Sequence, residues 1–417
     1  MFWNKNKRIY LDYAAAAPVH PHVMQSMQPY MTQLFYNPSA LYKEGCNARS
    51  VVEQARHDIA KVVDVEPRNI LFTNGGTESI NQAIRGIVSA WHRNNPDAEH
   101  LPEILMSSLE HKALRDTVED LIEKGLIVAH DIPVDSDGVI QLSKLEDLLN
   151  NRTILVTCML VNNEIGVIQP LRDIAKKIQH FKKHSLRDAR SYYPLLHTDA
   201  IQASHIKNIS MKHNRVDLMT LSSAKIGGPK AIGVLAIADN VVVDPIITGG
   251  GQENGKRSGT ENVPYIVGLA QALVIAQKNR EKNDAYLTTI RNYAVERLGD
   301  ELKNLQKKYA LESAPLQCLG NDAISASHIL AYACSGISGE HIVIEMDAAN
   351  VAISSQSACS VSSGDVPHVL YALGHDSVDG MIRLSFGTDT TKRDIETAIE
   401  KLDHIVDKLV ATKKRFS

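Results

Sequence analysis

Thr153-Ile-Leu-Val-Thr-Cys-Met-Leu160 decides the fold class of this chain. The run is apolar and β-branched with no alternation, the pattern of a strand buried on both faces. Leu171–Lys183 follows with helical spacing, and Leu195-Leu-His-Thr198 is the next strand. Working outward, Asn69–Thr73, Ile104–Ser107, Ile127–His130, Leu218–Leu221 and Ile232–Ile237 read as strands. Glu78–Ala90, His111–Lys124 and Leu142–Leu149 read as helices between them. Strand–helix alternation of this kind predicts an α/β fold with a mostly parallel sheet. Beyond about residue 262 the pattern changes. Two long helices are expected over 262–282 and 284–308, then a strand over 326–332 and a helix over 339–350. The strand Val351–Ile353, a Ser-rich loop over 354–364, the strand Met381–Ser385 and a closing helix over 391–409 complete a smaller α+β unit.

Composition narrows the function. The chain has 417 residues, 44% apolar and 22% charged, as in an ordinary globular protein. Lys plus Arg total 45 against 48 Asp plus Glu, so the basic excess of a duplex-DNA binder is missing. One basic stretch, His180–Tyr192, lacks an apolar period and reads first as a solvated surface segment, with a partner or nucleic-acid contact as the alternative. No apolar run is long enough for a membrane span or a secretory signal. The five cysteines, Cys46, Cys158, Cys318, Cys334 and Cys359, are widely spaced and include no Cys-x-x-Cys. That argues against a zinc site or a disulfide framework and for a reducing cytoplasm.

Four local features could carry chemistry. Lys225, in Leu221-Ser-Ser-Ala-Lys-Ile-Gly-Gly228, stands at a strand end among small residues, where a lysine can be desolvated and form a Schiff base. Asp199 ends the strand Leu195–Thr198 and precedes Gln202 by three residues. Such an aspartate can pair with a pyridinium nitrogen; read alone, it is a helix N-cap. Thr73-Asn-Gly75-Gly76-Thr77-Glu-Ser79 is a Gly-rich strand-to-helix turn, and its backbone N–H groups could cradle a phosphate. It lacks the Gly-Lys-Ser/Thr ending of a Walker loop. Cys359, in Ser354-Ser-Gln-Ser-Ala-Cys359, sits among small polar residues, as an accessible thiol nucleophile would.

Taken in order, these features and several others form one pattern. They include Tyr10-Leu-Asp-Tyr13, Asn37-Pro-Ser39, Glu110-His-Lys112, Val161-Asn-Asn-Glu-Ile-Gly166, Gly249-Gly-Gly251, Arg257-Ser-Gly-Thr260 and Ile382-Arg383. From about Ile9 to Leu409 the chain resembles the cysteine desulfurases of the NifS/IscS group, which depend on pyridoxal 5′-phosphate (PLP) and have the fold type I transferase architecture. The resemblance implies a large PLP-binding domain over 16–262. It also implies a small domain, built from 1–15 and 263–417, that carries the Cys359 loop.

The resemblance also assigns roles. Lys225 matches the Schiff-base lysine, Asp199 the partner of the pyridine nitrogen, and Gln202 the glutamine that hydrogen-bonds the ring hydroxyl oxygen. His111 matches the histidine stacked on the ring and a candidate proton shuttle. Gly76, Thr77 and Ser222 match the phosphate cradle. Thr260 matches a phosphate contact given to the other subunit, so a homodimer is implied. Asn37, Asn163 and Arg383 match substrate contacts, Asn163 also touching the cofactor. Arg383 would clamp the carboxylate of L-cysteine. Cys359 would take the sulfur as a persulfide and pass it to an acceptor protein in iron–sulfur assembly or tRNA thiolation. Five flexible residues reach roughly 12 Å, enough for delivery.

Some positions depart from the family pattern. Ala224 stands where a histidine usually precedes the lysine, Tyr42 replaces a histidine after Asn-Pro-Ser, and Gln252 and Asn254 replace His and Arg after the triple glycine. Two other readings fit part of the pattern. One is a selenocysteine lyase or other fold type I enzyme; the other is a catalytically weak paralogue acting as a scaffold. No metal, membrane or nucleic acid is expected.

Overall fold

A computed structural model describes residues 8–185, 193–355, 368–375 and 378–416. Cys359 lies outside the described residues, and the basic stretch at 180–192 is described only to residue 185 and from 193. The first half holds β1 (Ile9–Tyr10), α1 (Pro21–Thr32), α2 (Lys43–Val63), β2 (Ile70–Thr73), α3 (Gly76–Asn94), β3 (Glu103–Ser107) and α4 (Lys112–Glu123). Then come β4 (Val128–Ile132), α5 (Leu142–Leu148), β5 (Thr153–Thr157), α6 (Leu171–Ser185), β6 (Leu195–Asp199), α7 (Met211–Asn214), β7 (Leu218–Ser222) and β8 (Gly233–Ile237). The rest is α8 (Val263–Lys278), α9 (Arg280–Tyr309), β9 (Leu316–Cys318), β10 (Ile329–Cys334), α10 (Gly339–Ala348), β11 (Val351–Ala352), α11 (His368–Ala372), β12 (Met381–Ser385) and α12 (Lys392–Phe416).

The main sheet has the order β2-β8-β7-β6-β5-β3-β4. Only β8 runs against the others, pairing antiparallel with β2 and β7. Its strands divide their side chains between two apolar layers. Leu105, Val156, Leu196, Met219 and Val234 join a core with α2, α6 and α8. Ile104, Leu155, Leu195, Leu218 and Leu235 face Ile80, Ile84 and Ile87 of α3 and Leu114 and Val118 of α4. Burial on both faces explains the unbroken apolar runs in the sequence.

The smaller part is a β12-β10-β9 sheet with β1 pairing β11 beside it. Here α9 packs on α12, and α10 on α12 and β12. α8, on the small-domain side of the expected boundary at 263, packs against α1 and α2.

Several elements differ from expectation. α1 and α2 were not anticipated, although Ala48, Val52, Ala55, Ile59 and Val63 are buried at helical spacing. Pro21 starts α1 after the His20 cap. The long C-terminal helices break at Asn279, whose Nδ2 donates to the Ile275 carbonyl (3.0 Å). The strand expected at 326–332 starts at Ile329, because Ala326 N–H is already bound to the Gly166 carbonyl (2.7 Å).

Candidate functional site

β2, β3, β5, β6 and β7 run in one direction, so their C-terminal ends meet at one edge of the sheet. Ligands of open α/β sheets bind at such an edge. A cavity of about 250 Å³ opens there.

At one end lies the start of α3. Gly75, at φ 116°, is its N-cap, a conformation that favours glycine. Gly76 and Thr77 line the cavity, and a Cβ on Gly76 would lie 2.4 Å from Ile201 Cδ1. Free N–H groups and the positive end of the helix dipole suit an anion. Ser222, the last residue of β7, lines the same cavity.

Asp199 ends β6 and is buried. Its Oδ1 accepts the Ile201 N–H at 2.8 Å, so it does serve as a local cap. Burial raises its carboxyl to about 6, against the lowering effects of that N–H and of the Lys225 charge. A buried acid whose charge is costly in this way suits a ligand that brings its own positive N–H.

Lys225 sits in the short turn after β7, and its Nζ donates to the Ala15 carbonyl. His111 caps α4: its Nδ1 accepts the Ala113 N–H at 3.0 Å. The ring proton of the neutral form is therefore on Nε2. Burial, then the Lys225 charge, holds His111 below its usual pKa. Gln202 Nε2 donates to the Ala14 carbonyl at 2.9 Å.

Arg383, on β12, is 2% exposed. Its Nη1 donates to the Asn163 carbonyl (2.8 Å) and its Nη2 to Asp12 Oδ1 (2.7 Å). Its Nε is buried with no partner among the described residues. That orphaned donor fits a carboxylate ligand.

The cavity thus brings together Gly76, Thr77, His111, Asn163, Asp199, Gln202, Ser222, Lys225 and Arg383 of the expected residues. Two others are elsewhere. Asn37 is exposed and closes a local turn, its Oδ1 accepting the Ser39 N–H at 2.8 Å. The structure therefore does not bring Asn37 to the cavity of its own chain. Thr260 lines a separate depression of about 220 Å³ with Thr73, Glu253 and Arg257. Asp12, which orients Arg383, stands out in the sequence only as part of the Tyr10–Tyr13 motif. An acid inside the apolar stretch Ile9–Tyr13 was the available signal. Ala224 also lines the cavity, where its methyl group offers no hydrogen bond.

Glu110, next to His111, is fully buried. Its Oε1 accepts the Met159 N–H at 2.7 Å, while Oε2 has no partner among the described residues. Burial pushes its carboxyl up to about 8, so it is protonated at neutral pH. The unfolded chain ionises near 4.5, and the folded protein loses stability as pH rises from there to about 8. Glu110→Gln keeps the Met159 contact without that proton. We expect the cofactor-free variant to gain about 3 kcal/mol of unfolding free energy at pH 7 and to lose the dependence on pH. Denaturant unfolding at pH 5 and pH 7 checks this; equal stability of the two proteins at both values refutes it.

Known proteins share this architecture. The chain is 36% identical over 407 residues to the cysteine desulfurase IscS of Methanosarcina thermophila, covering 97% of this chain and 93% of that one. It is 34% identical to the putative cysteine desulfurase IscS 1 of Bacillus subtilis, covering 97% and 100%. A NifS-like protein superposes with TM-score 0.83 at 30% identity, over 96% of this chain and 99% of that one. A structure described as SspA in complex with cysteine gives TM-score 0.72 at 29% identity, over 91% and 98%. The fold is that of the fold type I PLP-dependent transferases, as the resemblance implied. The aminotransferase class-V model matches residues 9–397, and the chain belongs to that family.

Proposed function

We propose that this protein is a cysteine desulfurase that converts L-cysteine to L-alanine and leaves the sulfur as a persulfide on Cys359. One observation carries the reading. A single cavity joins an amine (Lys225), a buried acid (Asp199), a helix N-terminus and an arginine with an unsatisfied donor. Those are the groups needed to hold PLP and an amino acid together. Asp199 would hold the ring nitrogen, Gly76, Thr77 and Ser222 the phosphate, and His111 one ring face. When bound, PLP supplies an electron sink for the substrate α-carbon.

The protein's residues do the rest. Arg383 binds the substrate carboxylate, with Asp12 and the Asn163 carbonyl fixing the guanidinium plane. Lys225 Nζ takes the α-proton and returns a proton to carbon. Cys359, as thiolate, attacks the substrate sulfur. An S–S bond forms, the C–S bond breaks, its electron pair stays on carbon, and protonation there completes alanine. His111 Nε2 is the candidate proton carrier. The flanks of the Cys359 segment support this assignment. Ser354 exchanges backbone hydrogen bonds with Arg383 at 3.1 and 2.7 Å. His368 Nε2 lies 3.0 Å from the carbonyl of Glu110, the neighbour of His111. Both anchors therefore adjoin cavity residues. The persulfide then passes to an acceptor protein of iron–sulfur assembly or tRNA thiolation, in the cytoplasm, where thiols stay reduced.

The test is alanine formed per active site from L-cysteine, PLP and a thiol reductant. Several alanines per site are expected, and none beyond background from Cys359→Ala. PLP-loaded protein that forms no alanine would overturn the reading.

We also propose that the working form is a homodimer. Met31, Leu34, Phe35, Leu41 and Tyr42 are exposed around Asn37, and Leu41 is 90% exposed. So dense a set of exposed apolar residues, from the last turn of α1 to the start of α2, suits burial by a second copy. Asn37 and Thr260, both outside their own chain's cavity, would then serve the other subunit. Light scattering should give twice the 45.9 kDa chain mass, and a monomer that forms alanine at full rate would refute the proposal.

A further inference from the structure

His328 is 1% exposed and immediately precedes β10. Its carbonyl accepts the Phe386 N–H at 2.9 Å, which fixes its backbone. Its Nε2 lies 3.1 Å from Gln202 Oε1. His328 lines a second cavity of about 380 Å³, which His205 and Lys225 also line. The His205 ring packs edge-on at 4.4 Å, and His328 Nδ1 has no partner among the described residues.

Hydrogen-bond polarity settles how these groups are arranged. The Ala14 carbonyl only accepts, so the Gln202 amide nitrogen must face it, on the side of the first cavity. Gln202 Oε1 then faces His328 and only accepts. His328 must therefore carry a proton on Nε2. Burial, with His205, Arg383 and Lys207 nearby, drives its pKa well below the usual value, so it carries that proton alone.

We infer that His328 is a positioning residue: by donating to Gln202 Oε1, it keeps the amide Nε2–H turned toward the cofactor ring oxygen. This rests on the reading that PLP occupies the first cavity with its ring hydroxyl beside Gln202. Without the His328 donor, Gln202 Oε1 is buried unpaired and the Ala14 carbonyl alone holds the amide, so its Nε2–H is less firmly presented to that oxygen. A donor stabilises negative charge on the ring oxygen, most of all when the adjacent proton has left. Losing the donor disfavours the deprotonated form and raises the pH of its transition.

The experiment follows the visible absorbance of bound PLP against pH in the holoenzyme. In His328→Phe the midpoint should rise by about one pH unit, a tenfold change in proton affinity. His328→Asn should shift it alike, because its amide ends near the Nδ1 position. His328→Gln reaches the Nε2 position and should titrate within about 0.3 units of the parent. Adding His328→Phe to Gln202→Ala should shift the midpoint no further than Gln202→Ala alone, since both act through one contact. A parental midpoint in both His328→Phe and His328→Asn, or additive shifts in the double variant, would overturn the inference. Equal shifts in the Phe, Asn and Gln variants would also overturn it, marking a purely structural role. The titration needs no turnover, so a failure to form alanine would reject the reaction and leave this result standing.

Discussion

Replacing Lys225 with alanine will lower alanine formation from L-cysteine by at least about 10³-fold, beyond the reach of a simple loss of binding. The residue sits in the turn closing β7, and the Ala15 carbonyl holds its amine. It is asked both to join the cofactor and to move the α-proton. Its neighbours cannot take over. His111 is kept neutral and has one nitrogen committed to Ala113, and Asp199 points a carboxylate rather than an amine into the cavity. The α3 N-terminus does not depend on Lys225, so the variant should still bind PLP non-covalently. Dialysis with absorbance, beside a timed alanine assay, separates the two functions. Activity within tenfold of the parent would remove Lys225 from the chemistry.

Asp199→Asn should have two opposite effects. Turnover should fall by about 10²–10⁴-fold, because a neutral amide cannot hold a proton on the ring nitrogen and the ring loses its pull on the α-carbon. Stability of the cofactor-free protein should rise. The carboxyl titrates at about 6 when folded and near 3.8 when unfolded. Folding therefore takes up a proton between those values, and stability declines as pH rises through that window and stays low above it. Asparagine can still accept the Ile201 N–H and carries no charge to bury. The gain is about 3 kcal/mol above pH 6, which denaturant unfolding of the cofactor-free proteins at pH 8 would detect. A variant both less active and less stable would mean that Asp199 serves the fold rather than the cofactor.

These two residues were legible in the sequence because their signals are local. Asp199 closes an apolar strand and Lys225 follows another by three residues, and the ends of parallel strands share one edge of the sheet. The Gly75–Gly76 turn was legible for the same reason. So was the α/β class, since the doubly buried strands leave unbroken apolar runs.

What the chain folds into was thus written in local pattern: strand period, helix spacing and the residues at strand ends. How the site is tuned was decided by the tertiary structure. Arg383 gains its orientation from Asp12, 371 residues away in the chain, and Gln202 from His328, 126 residues away. Asn37 matches a substrate contact by motif, but its side chain closes a turn at the surface of its own chain, so only a second copy could bring it to a cavity. Burial has the same character. Glu110 and Asp199 are ordinary acids in the sequence, and only the packing around them moves their pKa values to about 8 and about 6. Periodicity reports which face of an element is apolar, whereas hydrogen-bond polarity and desolvation depend on groups that only folding brings together.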